Sequence, residues 1–333
     1  MNSEQHTTAK VWLITGASRG MGHAIMEAAL AAGHCVAAVS RSGEITTHIE
    51  DGAAQLLPYA LDVTNTEQAV FDRMAEAVVK HFGRIDVLVN NAGHGQFTYF
   101  EESDEQQIRD VFETNLFGLM RVTRAVLPVM RRQHAGHIFN ISSAAGYSGV
   151  GPSIYHTSKF AVTGFSESLA FETEQFGIRV TIVAPGLFRT DFMNFNSAYH
   201  LPARPIADYD AFRERMSGFV KYMNGREPGN PEVLGRLVVK AADSENPPLH
   251  LPVGADAIET LETHHEAQRK DVEAWREVSC ATAFPPEESE VDTQVVFSMN
   301  RSMRGGKSEG MKSRMPDLQN TNRSCLKFSC RIG

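Results

Sequence analysis

Tyr155 and Lys159 stand four residues apart in Ser-Ile-Tyr-His-Thr-Ser-Lys-Phe-Ala. On a helix that spacing puts both side chains on one face, so an ammonium can lie beside a phenol. A free tyrosine ionises near pH 10. A neighbouring positive charge favours the phenolate and moves the group toward the range where it can trade protons. The pair by itself is weak evidence, because Tyr-x-x-x-Lys arises by chance on solvated helix faces. Here it lies downstream of a glycine-rich turn, Gly16-Ala-Ser18-Arg19-Gly20-Met21-Gly22, with two serines, Ser142 and Ser143, in between.

The glycine turn follows the apolar run Val11–Thr15 and opens a helical pattern. In a strand-turn-helix context, glycines let the backbone approach a pyrophosphate, and the free N–H groups of the helix start hold its charge. The end of the second strand reads Ser40-Arg41-Ser42. An acid there would bind a ribose hydroxyl and repel a 2′-phosphate; a guanidinium takes that phosphate bidentately. Arg41, with Arg19 as a second contact, therefore favours NADP(H) over NAD(H). Asp62-Val63 and Asn90-Asn91-Ala92-Gly93 follow the third and fourth strands, where an adenine and a ribose would rest.

These groups need a frame. Apolar stretches at 10–15, 35–40, 56–61, 86–90, 137–141 and 178–184 alternate with helical patterns at 20–32, 62–82, 104–132 and 153–176. Near-continuous apolar strands separated by crossover helices predict a doubly wound α/β fold, a Rossmann-type parallel sheet with helices on both faces. Residues 191–226 lack strand character and carry Phe192, Phe195, Phe212 and Phe219 with Met193 and Met223. That segment follows the sixth strand, where ligands bind in open α/β sheets, and is expected to be a substrate lid. A helix at 231–242, a short strand at 249–251 and a charged helix at 255–278 complete a domain expected over 10–285, after a flexible start at 1–9. From residue 286 the sequence turns polar and aperiodic and is expected to be disordered.

Of the 333 residues, 42% are hydrophobic and 22% charged, the balance of a globular protein with no apolar run long enough to span a bilayer. The polar N-terminus runs straight into a strand and shows no secretory signal, so a cytoplasmic location is expected. Residues 301–333 hold eight Lys/Arg against two Asp/Glu, and residues 1–300 hold 24 against 38. The acidic body argues against nucleic acid as a partner. Cys35, Cys280, Cys325 and Cys330 form no CxxC pair, and His94, His156, His264 and His265 have no acid or thiol cluster at ligand spacing, so no metal is expected.

Taken in order, Thr15 to Gly22, Asp62, Asn90 to Gly93, Asn115, Ser143, Tyr155, Lys159 and Pro185-Gly186 resemble the short-chain dehydrogenase/reductase family over about residues 8–280. The resemblance implies that Tyr155 gives a proton to a carbonyl or takes one from an alcohol. It further implies that Lys159 lowers the tyrosine pKa and bonds the nicotinamide ribose, and that Asn115 holds a water behind Lys159. The family's usual spacing to the tyrosine selects Ser142 as the catalytic serine, whereas the local pattern, with glycine three residues on, selects Ser143; Ser143 is favoured. Pro185, Gly186, Phe188 and Thr190 match the loop that seats the nicotinamide. A homodimer or homotetramer through the helices at 104–132 and 153–176 is implied too. The expected activity is NADP(H)-dependent hydride transfer between the nicotinamide and a carbonyl or secondary alcohol. The alternative, a non-catalytic NADPH-sensing regulator, is recommended by nothing in the residues, because all four catalytic positions are filled.

Overall fold

A computed structural model describes residues 9–50, 52–194 and 202–284. The chain divides into two compact units, 1–275 and 276–333. The first carries the site; in the second the described residues are the end of one helix and four that follow it. Phe195, Cys325, Cys330 and the tail expected to be disordered lie outside the described residues.

Seven strands, β1 Val11–Thr15, β2 Cys35–Ser40, β3 Leu56–Ala60, β4 Val87–Asn90, β5 Gly136–Ile141, β6 Ile178–Pro185 and β7 His250–Val253, form one sheet in the order β3-β2-β1-β4-β5-β6-β7. Every pairing is parallel. Because a strand's side chains alternate between faces, each central strand supplies both layers. Val11 and Leu13 of β1 join Ala37, Val39, Leu88, Ile138 and Val180 on one face, and Trp12 and Ile14 join Val36, Ala38, Val89, Phe139 and Val183 on the other. Helices α2 (Gln68–Phe82), α4 (Leu119–Gln133) and α5 (Ser153–Thr173) cover the first face; α1 (Gly20–Ala31) and α7 (Pro231–Ala242) cover the second. This is the doubly wound arrangement that the alternating apolar runs predict.

The chain winds outward from β1 to β3 and then returns to place β4 on the other side of β1. A crevice therefore opens beyond the carboxyl ends of β1 and β4, the point where such sheets take ligands. The glycine turn after β1 and the 91–93 loop after β4 both end there.

The helix expected over 104–132 is three pieces: α3 (Glu105–Phe112), a π-helical turn (Glu113–Gly118) and α4. Asp104 starts α3 with a capping box, its carboxylate accepting from Gln107 N while the Gln107 side chain accepts from Asp104 N. Residues 191–226 contain no strand among the described residues; they form short turns at Asp191–Met193 and Ala207–Tyr209, then α6 (Asp210–Met223). The two ends of this excursion are stitched together, with Arg189 N donating to Gly229 O and Gly229 N to Leu187 O, each at 2.9 Å. The final helix, α8, runs Ala255–Cys280.

Candidate active site

The glycine turn is built for closeness. Gly16 has φ +66°, and a Cβ there would sit 2.9 Å from Asn91 Nδ2 and 3.0 Å from Ala92 Cα; a Cβ on Gly22 would collide with the same carboxamide and with Gly16 O. Asn91 explains the tightness: its Nδ2 donates to Thr15 O and Gly16 O, both at 3.1 Å, while Thr15 Oγ1 accepts from Asn91 N and Ala92 N. The loop after β1 is thus tied to the loop after β4. Arg19, the N-cap of α1, gives no side-chain cap and the first turn holds no acid. The opening N–H groups of α1 are left for an anion, which fits a pyrophosphate.

A cleft of about 620 Å³ runs from this turn to Tyr155. Gly16, Ser18, Arg19, Gly20, Met21, Arg41, Asp62, Val63, Ala92, Gly93, Tyr155, Lys159 and Thr190 line it, as expected from sequence. Arg41 makes no ion pair among the described residues; Arg19 lies 3.8 Å from Asp191 across the opening. Asp62 accepts from the amide and hydroxyl of Thr64 at 2.9 and 2.8 Å, which sets its carboxylate at the wall. Asn90 does not line the cleft. It is the last residue of β4, and its carboxamide serves the core, donating to Thr123 Oγ1 (2.9 Å) and Asn140 Oδ1 (2.8 Å); Asn91 takes the place expected for it. Pro185, Gly186 and Phe188 do not line it either. Phe188 is buried in the core beside α7, and Gly186 N donates to Val253 O, so the loop's contribution to the wall is Thr190.

At the other end α5 carries Tyr155 and Lys159, both buried. Lys159 Nζ donates to Ile141 O at 2.9 Å and lies 5.8 Å from the centre of the Tyr155 ring. Burial pulls the Lys159 ammonium from 10.5 down to about 8. Burial also pushes Tyr155 up to about 12, opposed only by a hydrogen bond from Ser143. The expectation that Lys159 draws the phenol toward neutrality is therefore reversed in the polypeptide by itself, because removing a phenolate from water costs more than the lysine at this distance returns.

The two serines are placed differently, and of the two Ser142 lines the cleft. Ser142 is buried and its hydroxyl is committed, donating to Lys159 O at 3.1 Å and bonding Thr163 Oγ1 at 3.0 Å. Ser143, one residue on, is the partner of Tyr155. Asn115 sits in the π-helical turn, a feature often found at functional sites. Its Oδ1 accepts from His94 N (2.9 Å), and its Nδ2 donates to His94 O (3.0 Å) and Ser158 Oγ (3.1 Å). Asn115 Oδ1 and Lys159 Nζ both fall within 4 Å of where a Gly93 Cβ would be.

Two aromatic rings wall the catalytic end. Phe97 meets Tyr155 edge-on at 6.0 Å and Phe192 at 6.1 Å, and Phe192 tilts over Tyr155 at 5.7 Å. Phe192 falls in the 191–226 segment singled out from sequence. Phe97 was not, since it lies in an irregular loop whose course no periodicity reveals.

The short chain dehydrogenase family model matches residues 10–199. An oxidoreductase of Botryotinia fuckeliana, BOA17, is 39% identical over 278 residues, covering 82% of this chain and 99% of the relative. A 3-ketodihydrosphingosine reductase of Bacteroides thetaiotaomicron is 34% identical, covering 74% and 88%. The crystal structure of a short-chain dehydrogenase from Streptomyces avermitilis superposes with a TM-score of 0.70 at 38% identity, covering 84% of this chain and all of that one. The chain belongs to the short-chain dehydrogenase family of oxidoreductases.

Proposed function

We propose that the protein is an NADP(H)-dependent carbonyl reductase, working reversibly on secondary alcohols, with Tyr155 as its acid and base. The observation that carries this reading is the buried Tyr155 hydroxyl, bonded by Ser143 and flanked by Lys159, at the end of a cleft that begins at an uncapped helix start. Arg41 and Arg19 in the wall, with no acid at the end of β2, support NADP(H) over NAD(H). A nicotinamide cofactor, when bound, supplies or accepts the hydride.

The chain's own residues handle the proton. Tyr155 gives its proton to the carbonyl oxygen, and Ser143 donates to the same oxygen and stabilises the charge that develops there. A phenol that burial keeps protonated throughout the neutral range is still far more acidic than an alcohol, so it can give its proton to the alkoxide oxygen as that forms. Lys159, changing charge near 8, restocks the proton from the side of Asn115 and Gly93. Phe97 and Phe192 exclude water around Tyr155 and suit a neutral, apolar carbonyl compound. That one relative is named as a reductase of a keto compound agrees with this class.

The test is Tyr155→Phe, assayed by NADPH oxidation across ketones and aldehydes and by NADPH binding through fluorescence. Turnover is expected to vanish while affinity for NADPH stays within a few fold. Near-normal turnover in this variant overturns the assignment, and wild-type protein that binds NADPH without oxidising it on any carbonyl favours a regulator.

A further inference from the structure

Behind the serine turn, polar side chains from three segments come together. Ser143 is the N-cap of the short turn Ala144–Gly146, and Tyr147 is its C-cap. The turn packs straight onto α5: a Cβ on Gly146 would lie 2.8 Å from Thr163 Oγ1 and 2.9 Å from Lys159 O. Tyr147 points inward, 6% exposed, and its phenol bonds His250 Nδ1 at 2.6 Å. Thr163 Oγ1 bonds Ser142 Oγ, whose own proton goes to Lys159 O. At the outer end His250 Nε2 faces Glu167 Oε1 at 3.6 Å. The carboxylate keeps the imidazole proton on Nε2, so Nδ1 is free to accept from Tyr147.

Tyr155, Lys159, Thr163 and Glu167 follow one another at four-residue steps along α5. They form a single stripe on the helix. The upper half of that stripe carries the acid-base pair, and the lower half grips, through Tyr147 and His250, the turn that bears the serine.

We propose that Tyr147 is a positioning residue for catalysis: anchored by His250 of β7, it holds the 143–147 turn so that the Ser143 hydroxyl meets Tyr155. The inference rests on the reading of Ser143 given above. It assigns His250 a part in the reaction although the imidazole lies at the last strand, outside the cofactor cleft, and touches none of the reacting groups.

Tyr147→Phe tests it, since the ring and its packing remain, Ser142 keeps Thr163, and the half-exposed His250 turns to water. Expected is a fall in kcat of about tenfold, the size that a slightly misplaced oxyanion donor gives, with carbonyl KM and NADPH affinity within twofold of wild type. In a Ser143→Ala background the same substitution is expected to cost nothing further, because the group it positions is gone. His250→Asn, which keeps an acceptor near the Nδ1 position, is expected to retain at least half of kcat; His250→Leu is expected to match Tyr147→Phe. A purely structural Tyr147 would lower the melting temperature and leave kcat alone. Wild-type kcat in Tyr147→Phe, or losses that multiply in the double variant, overturns the inference while leaving the function intact. Full activity in Ser143→Ala overturns the serine assignment and this inference together.

Discussion

Lys159 holds a charge where the fold resists one, and replacing it with methionine isolates the cost. Burial lowers the ammonium from 10.5 to about 8, a displacement worth about 3 kcal/mol. Between those two values the unfolded chain binds the proton that the folded protein has released, so raising the pH favours folding; below about 8 the full penalty applies. Methionine has a similar reach and no charge, but it forfeits the 2.9 Å bond to Ile141 O, a loss of about 1–2 kcal/mol. At pH 7 Lys159→Met is therefore expected to be more stable than wild type by about 1–2 kcal/mol, though inactive. By pH 10.5 the order reverses, and the variant is less stable by a similar amount. Every other group, including Tyr155, which loses phenolate stability in the folded state only above about 10, titrates in both proteins and cancels in the difference. Urea denaturation of cofactor-free protein at pH 7, 8, 9 and 10, followed through the buried Trp12, measures it. A difference that stays flat across that range, or a variant less stable at pH 7, refutes the reasoning.

Two further outcomes follow from particular contacts. Arg41→Ala is expected to raise the KM for NADPH by about tenfold or more, the worth of a charge-assisted pair, and to leave the KM for NADH unchanged; equal effects on both cofactors in steady-state kinetics would remove Arg41 from the 2′-phosphate. Glu102 is fully buried, paired with Arg213 of α6 and accepting from Ile206 N at 2.9 Å, which latches the 206–213 stretch to the 99–103 loop. Arg213→Met leaves that carboxylate uncompensated and is expected to destabilise by about 3 kcal/mol, with Glu102→Gln in the same chain recovering most of it; thermal denaturation that shows the single variant neutral would sink the idea of a latch.

The frame was legible because a parallel sheet buried on both faces writes itself as continuous apolar runs: β2 falls where Cys35-Val-Ala-Ala-Val-Ser40 reads, and α7 where Pro231 opens and Ala242 closes its pattern. Tyr155 and Lys159 were legible because helical spacing is geometry in itself. The two serines could not be told apart by residue type, since Ser142 and Ser143 differ in which way a turn points them, and Thr163 with the Lys159 carbonyl holds only the first. Asn90, expected at the cofactor, leaves the cleft to Asn91 for a similar reason: the first is still strand and faces Asn140, the second is loop and closes on Gly16. The direction of the Tyr155 shift depends on burial, which adjacent residue types do not reveal.

The π-helical turn at Glu113–Gly118 has an evolutionary corollary. Such a turn amounts to one surplus residue lodged in an otherwise regular coil. Deleting one residue between 113 and 118 would let the coil close as ordinary α-helix with its flanks nearly in register, while the residues inside the turn change face. Asn115 would then swing off His94 and Ser158 even if its identity were kept. Substitutions in this stretch are thus open to graded selection, whereas a change in its length moves Asn115 outright.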